Sequence, residues 1–260
     1  MICNRRTALR ATGRLAALML PGLMMERAMA QTATLSSMVF ISKRLDASTQ
    51  EYRDWYIQHH APDFLSFARP YLTRYGQDFV EKSRTGVADF DCISEFGYRS
   101  REALMQLMQI LNMPDAKAKL ASHPRPGSKP GPHEDHGGSR TFSTDETLIA
   151  GRRRTFDPPG TRKQAILLRR KADHPSPSAF ISAAARYAAA GATKVSDTAL
   201  RVSLDLAVPE PGRPAPLFDA VIFIWPKQDA DPASAFTALP DEMEVADIVD
   251  LVCYETPLSA

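Results

Sequence analysis

Cysteine is scarce in this chain, with three in 260 residues at positions 3, 92 and 253. Three are too few for a scaffold built on disulfides. Cys92 and Cys253 lie in apolar, strand-like runs, where buried and inert thiols are expected rather than a bridged pair. Long hydrophobic runs are also missing: the apolar stretch from Leu15 to Met25 has 11 residues, too short to cross a bilayer. An excess of one charge is lacking too. The formal net charge is +2, and the first 30 residues carry five Arg and one Glu, so removing that +4 leaves −2. This excludes a general nucleic-acid binder, whose affinity rests on surplus positive charge. Tryptophan occurs twice and histidine six times, which makes any cluster of them informative.

The apolar fraction of 44% and charged fraction of 24% are those of an ordinary globular chain, long enough for one large domain or two small ones. Residues 1–30 read as an export signal. Arg5, Arg6, Arg10 and Arg14 form the basic region, the 11-residue apolar run follows, and Ala28-Met29-Ala30 fits a cleavage site that leaves Gln31 first. The paired arginines with Leu9 and Arg10 resemble a twin-arginine signal, although Ala8 stands where Phe is usual. The expected location is periplasmic or extracellular, with no membrane association after cleavage.

Beyond the leader the chain alternates strand and helix signals. Met38–Ser42 reads as a strand. Ser48-Thr49-Gln50-Glu51 fits a capping box opening a helix, and Pro62 is expected to stop it near His60. Strands follow up to Val80 and across Phe90–Phe96. The second alternates, with Asp91, Ile93 and Glu95 on one face and Phe90, Cys92, Ser94 and Phe96 on the other. Ser100 opens a second helix with a Leu104, Leu107, Met108, Leu111 stripe, and Thr147–Ala150 closes the unit as a fourth strand. The order βαββαβ is that of a ferredoxin-like unit. Residues 113–141, rich in Pro, Gly and His, read as a long surface loop. His133-Glu134-Asp135-His136 within it has metal-ligand chemistry but no scaffold around it, and a solvated loop is expected.

Residues 158–163 read as a linker, flanked by a basic belt of Arg152–Arg154, Arg162, Lys163 and Arg169–Lys171. That belt fits a solvated face better than a steering patch for an anionic substrate. The βαββαβ order then repeats over 164–258: a strand at Gln164–Leu168, a helix opened by Ser176-Pro177 and stopped by Gly191, strands over Leu200–Val208 and Leu217–Trp225, a short helix at Ala233–Leu239, and a last strand through Tyr254. Laid on one another, Phe90-Asp91-Cys92-Ile93 matches Phe218-Asp219-Ala220-Val221. Glu95 then falls on Phe223, and Tyr52, Tyr56 and His60 fall near Phe180, Ala184 and Ala188. The leading half keeps ionisable groups where the second half is apolar or small.

Those groups mark the candidate site. Tyr52, Tyr56 and His60 recur every four residues and form one helical stripe. A polar-aromatic stripe ending in an imidazole suits a helix walling a pocket. At a helix end the carbonyls favour the imidazolium, while a dry pocket favours the neutral ring.

Tyr52-x3-Tyr56-x3-His60-Ala61-Pro62, the Asp91-x-Ile93-x-Glu95-Phe96 strand and the Asp145-Glu146 pair resemble the EthD-domain signature over about residues 37–157. The resemblance implies two tandem ferredoxin-like repeats forming an intrachain dimeric α+β barrel, either a monomer with a pseudo-dimer barrel or a homodimer. It implies a small-molecule ligand, apolar, aromatic or carbonyl, and chemistry of the cofactor-free lyase, isomerase or oxidoreductase kind. Carried over by position, His60 is the general acid or base, Tyr56 and Glu95 its catalytic companions, and Tyr52, His59 and Tyr75 substrate-binding residues. His59 precedes His60, so either ring is a candidate for facing the pocket. The alternatives are the same pocket holding a ligand without turnover, or a haem-binding barrel, for which no motif supplies an axial ligand. No metal site and no cofactor are otherwise expected.

Overall fold

A computed structural model describes residues 34–131, 140–152, 156–173, 176–208 and 215–258. The export leader, the His133–His136 tract and Arg153–Arg154 lie outside the described residues.

The first repeat runs β1 (Thr34–Ile41), α1 (Thr49–Trp55), a π-helical turn (Tyr56–His60), α2 (Ala61–Ala68), β2 (Leu72–Ser83), β3 (Cys92–Tyr98), α3 (Arg101–Leu111), α4 (Pro114–Ala121) and β4 (Arg140–Gly151). The second runs β5 (Thr161–Arg170), α5 (Pro177–Lys194), β6 (Ala199–Val208), β7 (Ala220–Pro226), a 3-10 turn (Pro232–Ala235) and β8 (Met243–Glu255). Each half is a four-stranded antiparallel sheet, ordered β4-β1-β3-β2 and β8-β5-β7-β6. Pairing of β2 with β8 and of β4 with β6 closes the two sheets into one eight-stranded barrel. Both sheets come from one chain, as the repeated βαββαβ order predicts, and closure removes the free sheet edges.

The two Phe-Asp pairs seen in sequence do the same work in both halves. Asp91 accepts from the Lys43 backbone N–H at 2.8 Å, and Asp219 accepts from that of Arg170 at 2.8 Å. The Asp91 N–H donates to the Ile41 carbonyl and the Asp219 N–H to the Leu168 carbonyl, while the Val80 and Ala207 N–H groups donate to the two aspartate carbonyls. Each aspartate therefore pins the end of its repeat's first strand. With this register fixed, Glu95 matches Phe223 and Gly97 matches Trp225.

Alternation along the strands divides the apolar residues between two cores. Met38, Phe40, Ile93, Leu167, Phe223 and Leu251 point into one end of the barrel and seal it, with the Phe90 and Phe218 rings 4.8 and 5.4 Å from that of Phe40. Phe90 thus joins the Ile93 side and not the Cys92 face expected for it, because it precedes β3 and strand alternation does not reach it. Tyr52, Tyr56, Phe64, Tyr75, Phe79 and Leu107 form the second core, between the first sheet and its helices. Each such fully buried side chain contributes about 1.5–3 kcal/mol from burial.

Several boundaries differ from the sequence expectation, each for a physical reason. The capping box forms, with the Glu51 N–H donating to Ser48 Oγ at 3.1 Å and the Ser48 N–H to Glu51 Oε2 at 2.8 Å. The helix nevertheless does not stop at Pro62. The Ala61 N–H donates to the Tyr56 carbonyl five residues back, and this widened turn lets α2 carry Pro62 in its first turn. Gly191 does not end α5, which continues to Lys194. A Cβ at Gly191 would lie 2.0 Å from the Phe236 ring, so the glycine is there for packing. The helix expected at Ala233–Leu239 is a 3-10 turn. Part of the expected surface loop is α4, and the segment after it is tied down, Asp46 accepting from the Ser128 and Lys129 N–H groups at 2.8 and 3.0 Å. Cys92 and Cys253 are buried free thiols, as expected.

Replacing Asp91 or Asp219 by Ala should destabilise the protein by similar amounts. About 1.5 kcal/mol each is expected, the low end for a bond to a charged acceptor because both carboxylates are part-exposed. Urea unfolding midpoints check this; a loss at only one of the two positions would contradict their equivalence.

Candidate functional site

The tyrosine stripe expected to wall a pocket is packed core. Tyr52, Tyr56 and Tyr75 are buried between helix and sheet, and rings of Tyr52, Tyr56 and Phe79 meet edge to face at 5.8–6.1 Å. Tyr56 Oη lies 2.7 Å from Ser94 Oγ on the outer face of β3. Burial pushes the phenols of Tyr52, Tyr56 and Tyr75 well above their ordinary value. His60 is part-buried, stacked on Trp55 at 5.1 Å and tilted against Tyr56 at 4.8 Å. Because the helix runs on through Pro62, His60 is mid-helix and meets no carbonyl end. Desolvation and the nearby Arg125 guanidinium hold its pKa down at about 4, so the ring is neutral at pH 7.

His59 faces the other way, stacking on His123 at 4.4 Å in an open cleft of the outer surface. His123 in turn meets Asp63 at 2.9 Å. Glu95 points into the barrel, on the opposite face of β3 from Ser94 and the helix layer. It therefore cannot orient His60: the sheet itself stands between them. The structure brings Tyr52, Tyr56, His60 and Tyr75 together, and separates both His59 and Glu95 from them.

Glu95 belongs to a different constellation, inside the open end of the barrel. A cavity of about 430 Å³ lies there, with Ser36, Arg74, Glu95, Gly97, Thr144 and Arg201 in its wall. Glu146, Asp157, Asp205 and Glu255 complete its charged lining. The room exists because the two repeats differ: the small Gly97 stands where the second half carries Trp225. Lys163 lies deeper, 3.0 Å from Asp78 and 2.7 Å from Glu95, with its ammonium 5.1 Å from the Trp225 ring centre. Burial opposes the Lys163 charge, but the adjacent carboxylates win and raise its pKa. Arg74 bridges Glu95, Glu146 at 3.3 Å and Glu255 at 3.9 Å. Arg201 pairs with Asp157, which also accepts from Trp225 Nε1 at 2.9 Å.

Among the described residues, three cations thus face six carboxyls in this interior. Such an excess of buried negative charge must be relieved by holding protons. Asp205 is where this falls. It is buried, directly opposite Glu146 across the β4–β6 pair, and accepts a 3.2 Å bond from Thr144 Oγ1, whose hydroxyl lies 2.7 Å from Ser36 Oγ. Desolvation first, and the Glu146 charge second, push its pKa up to about 8. Burial raises Glu255 as well. Among the described residues, two polar atoms of the wall have no partner: Asp157 Oδ1, an acceptor, and Arg201 Nε, a donor.

Of the site residues expected from the sequence, Glu95 alone lines this cavity, and it was expected beside His60 instead; a signal for the other residues was present. Arg74-x3-Asp78 and Arg201-x3-Asp205 are the same pattern at matching places in the two repeats, and a spacing of four on a strand puts both charges on one face. Asp157 and Lys163 were hidden by their setting. Composition reads them as a solvated linker and belt, yet they are 2% exposed, held where Gly160 N–H bonds the Cys253 carbonyl and joins β5 to β8. The wall is ionic rather than apolar. Among the described residues no histidine lines the cavity, and no group of three or more His, Cys, Asp or Glu could hold a metal ion.

No protein-family model matches the chain, and no curated protein matches it. Among solved structures it is similar to a variant of chlorite dismutase from Candidatus Nitrospira defluvii, at 9% identity and a TM-score of 0.47, covering 90% of this chain and 95% of that one. It is also similar to a protein described as "putative monooxygenase from Lactobacillus acidophilus NCFM", at 9% identity and a TM-score of 0.44, covering 85% and 94%. The EthD family is not confirmed by these likenesses, and the barrel assignment rests on the strand order and register above.

Because His60 is neutral in the fold and protonates more readily when unfolded, the stability it contributes is present above pH 6.5 and lost as pH falls toward 4. His60→Phe, which keeps a ring against Trp55, should flatten the stability profile between those pH values. Urea midpoints from pH 4 to 8 check this; an unchanged acid slope would place the imidazole in water.

Proposed function

We propose that the chain is an exported small-molecule-binding α+β barrel that performs acid–base chemistry at the polar end of its interior, with Asp205 as the proton-holding group and Glu146 as its partner. The observation that carries this reading is the carboxyl pair itself, facing across β4 and β6 into a cavity of about 430 Å³ whose wall retains an unpartnered acceptor and an unpartnered donor. That volume is in the range of ligand pockets.

In this reading a neutral Asp205 donates its proton to a ligand oxygen, and the Glu146 carboxylate takes a proton from a neighbouring ligand position. A general acid works best when its pKa lies near the working pH, and one such positioned group contributes typically ~10²–10⁴ in rate. Arg201 Nε, a donor in place before any reaction, supports charge that develops on that oxygen. Thr144 and Ser36 fix the orientation of the carboxyl and offer it a path for proton exchange. The role carried over to His60 by resemblance passes to Asp205, because the imidazole lies across the sheet from this cavity. Without turnover the same features describe a binding protein, and substitution separates the two cases. The exported location follows from residues 1–30, and N-terminal sequencing of protein from its host should start at Gln31.

A thermal-shift screen supplies ligands, since any that favour the folded state raise the melting temperature. Asp205→Asn should abolish turnover while ligands still bind, whereas His60→Ala should leave turnover and binding in place. Loss of turnover in His60→Ala with full activity in Asp205→Asn would overturn the assignment. Asp205 also carries a stability signature. Its folded pKa is raised, so its cost grows as pH rises from about 4 to about 8 and is complete above that. Asp205→Asn should therefore match the wild type near pH 4 and exceed it at pH 9, by on the order of a few kcal/mol.

A further inference from the structure

Resting on the assignment of the barrel cavity as the binding site, we infer that its ligand is a small organic cation, a protonated amine that also carries an oxygen acceptor.

The charge balance of the wall sets the sign. Glu95, Glu146, Asp157, Asp205 and Glu255 line the cavity against two cations, Arg74 and Arg201. Each cation is already engaged by carboxylates, Arg74 by three of them and Arg201 by Asp157. An anionic ligand would have to displace those partners and leave buried carboxylates unpaired, at a cost of several kcal/mol per ion. An ammonium group does the reverse. It supplies donors to a wall made mostly of acceptors, and it makes up part of the missing positive charge.

The unpartnered atoms set the chemistry more narrowly. Asp157 is 2% exposed and one of its oxygens is committed twice, to Arg201 and to Trp225 Nε1. Its other oxygen, Oδ1, is buried with no donor. A buried acceptor left unmade costs about 1–3 kcal/mol, which a ligand N–H would recover. Arg201, which pairs with Asp157, has at Nε a buried donor with no acceptor among the described residues. One ligand satisfies both only if it presents a donor and an acceptor close together, as an amino alcohol, an amino sugar or an amino ketone does. Trp225 Nε1 is engaged with the other Asp157 oxygen and Lys163 with Asp78 and Glu95, so neither competes for Oδ1. In the same wall, Asp205 provides an adjustable charge: arrival of an ammonium group favours its ionised form, so binding at neutral pH should release a proton. The groups facing Asp205 are Glu146 from β4, Thr144 beside it, Arg74 from β2 and Lys163 from β5.

Matched probes that differ only in charge test this. Calorimetric titrations at pH 7 compare glucosamine, glucose and glucuronate, then tyramine, 4-ethylphenol and 4-hydroxyphenylacetate. In at least one set the amine should bind ten times more tightly than the neutral and anionic members. Its apparent enthalpy should shift between buffers of different ionisation heat, reporting proton release. Asp157→Asn should weaken the amine at least tenfold while retaining a cooperative melt, and Asp205→Asn should abolish the buffer dependence. Should Asp157→Asn fail to fold, the buffer dependence of the wild-type protein decides. A neutral or anionic member that binds as tightly, and still responds to Asp205→Asn, overturns the amine assignment while keeping the cavity as the site. Ligands indifferent to both substitutions remove the site as well. No binding by either amine at about 10 mM also overturns the inference.

Discussion

Closing two sheets into one barrel forces every inward side chain of eight strands to share one volume, and at one end of this barrel those side chains are charged. Arg74, Lys163 and Arg201 enter that volume with six carboxyls because their strand positions leave no other direction. The backbone pairing is thus bound to an electrostatic problem. The solution is a network in which Arg74 holds three carboxylates, Lys163 two and Arg201 one, and the surplus is met by protons. Buried ion networks of this kind add little net stability compared with apolar packing. The apolar plug at the other end, around Phe40, Ile93 and Phe223, supplies stability to the same barrel at no such cost. A polar, proton-holding mouth on an apolar base is what a site for acid–base chemistry needs.

The two repeats illustrate how a cavity arises by departure from symmetry. The Asp91 and Asp219 caps, and the Arg-x3-Asp pattern on β2 and β6, are retained in both halves. Ser36 and Gly97 stand opposite the second half's Lys163 and Trp225. On one side the large pair fills the interior; on the other the small pair leaves it open. The asymmetry is therefore one of volume inside the barrel as well as of ionisable groups outside it.

Much of the fold was legible in the sequence because it depends on local rules. Strand alternation placed Ile93 and Glu95 on one face correctly, Ser48 and Ser100 capped helices as their spacing implies, and the Phe-Asp repeats gave the register of the duplication. The site was less legible because it depends on closure. A helix stripe of Tyr52, Tyr56 and His60 announces itself along a single element, and it proved to be packing for a π-turn. The cavity draws one to three residues from each of six strands, separated by up to 219 positions between Ser36 and Glu255. No window of sequence contains it. Asp157 and Lys163 were obscured further by Pro-Pro-Gly and by neighbouring arginines, whose composition signals solvent.

Acid–base chemistry at the barrel mouth turns on one protonation state. Carbon-13 NMR of the side-chain carboxyls, with Asp205→Asn to assign the signal, follows Asp205 directly across pH 4–10. A resonance that stays protonated at pH 7 and titrates near pH 8 is the predicted result. A resonance already ionised at pH 7, with its midpoint in the ordinary carboxylate range near 4, would mean the interior charges are balanced without held protons, and the barrel mouth would lose its claim to acid–base chemistry.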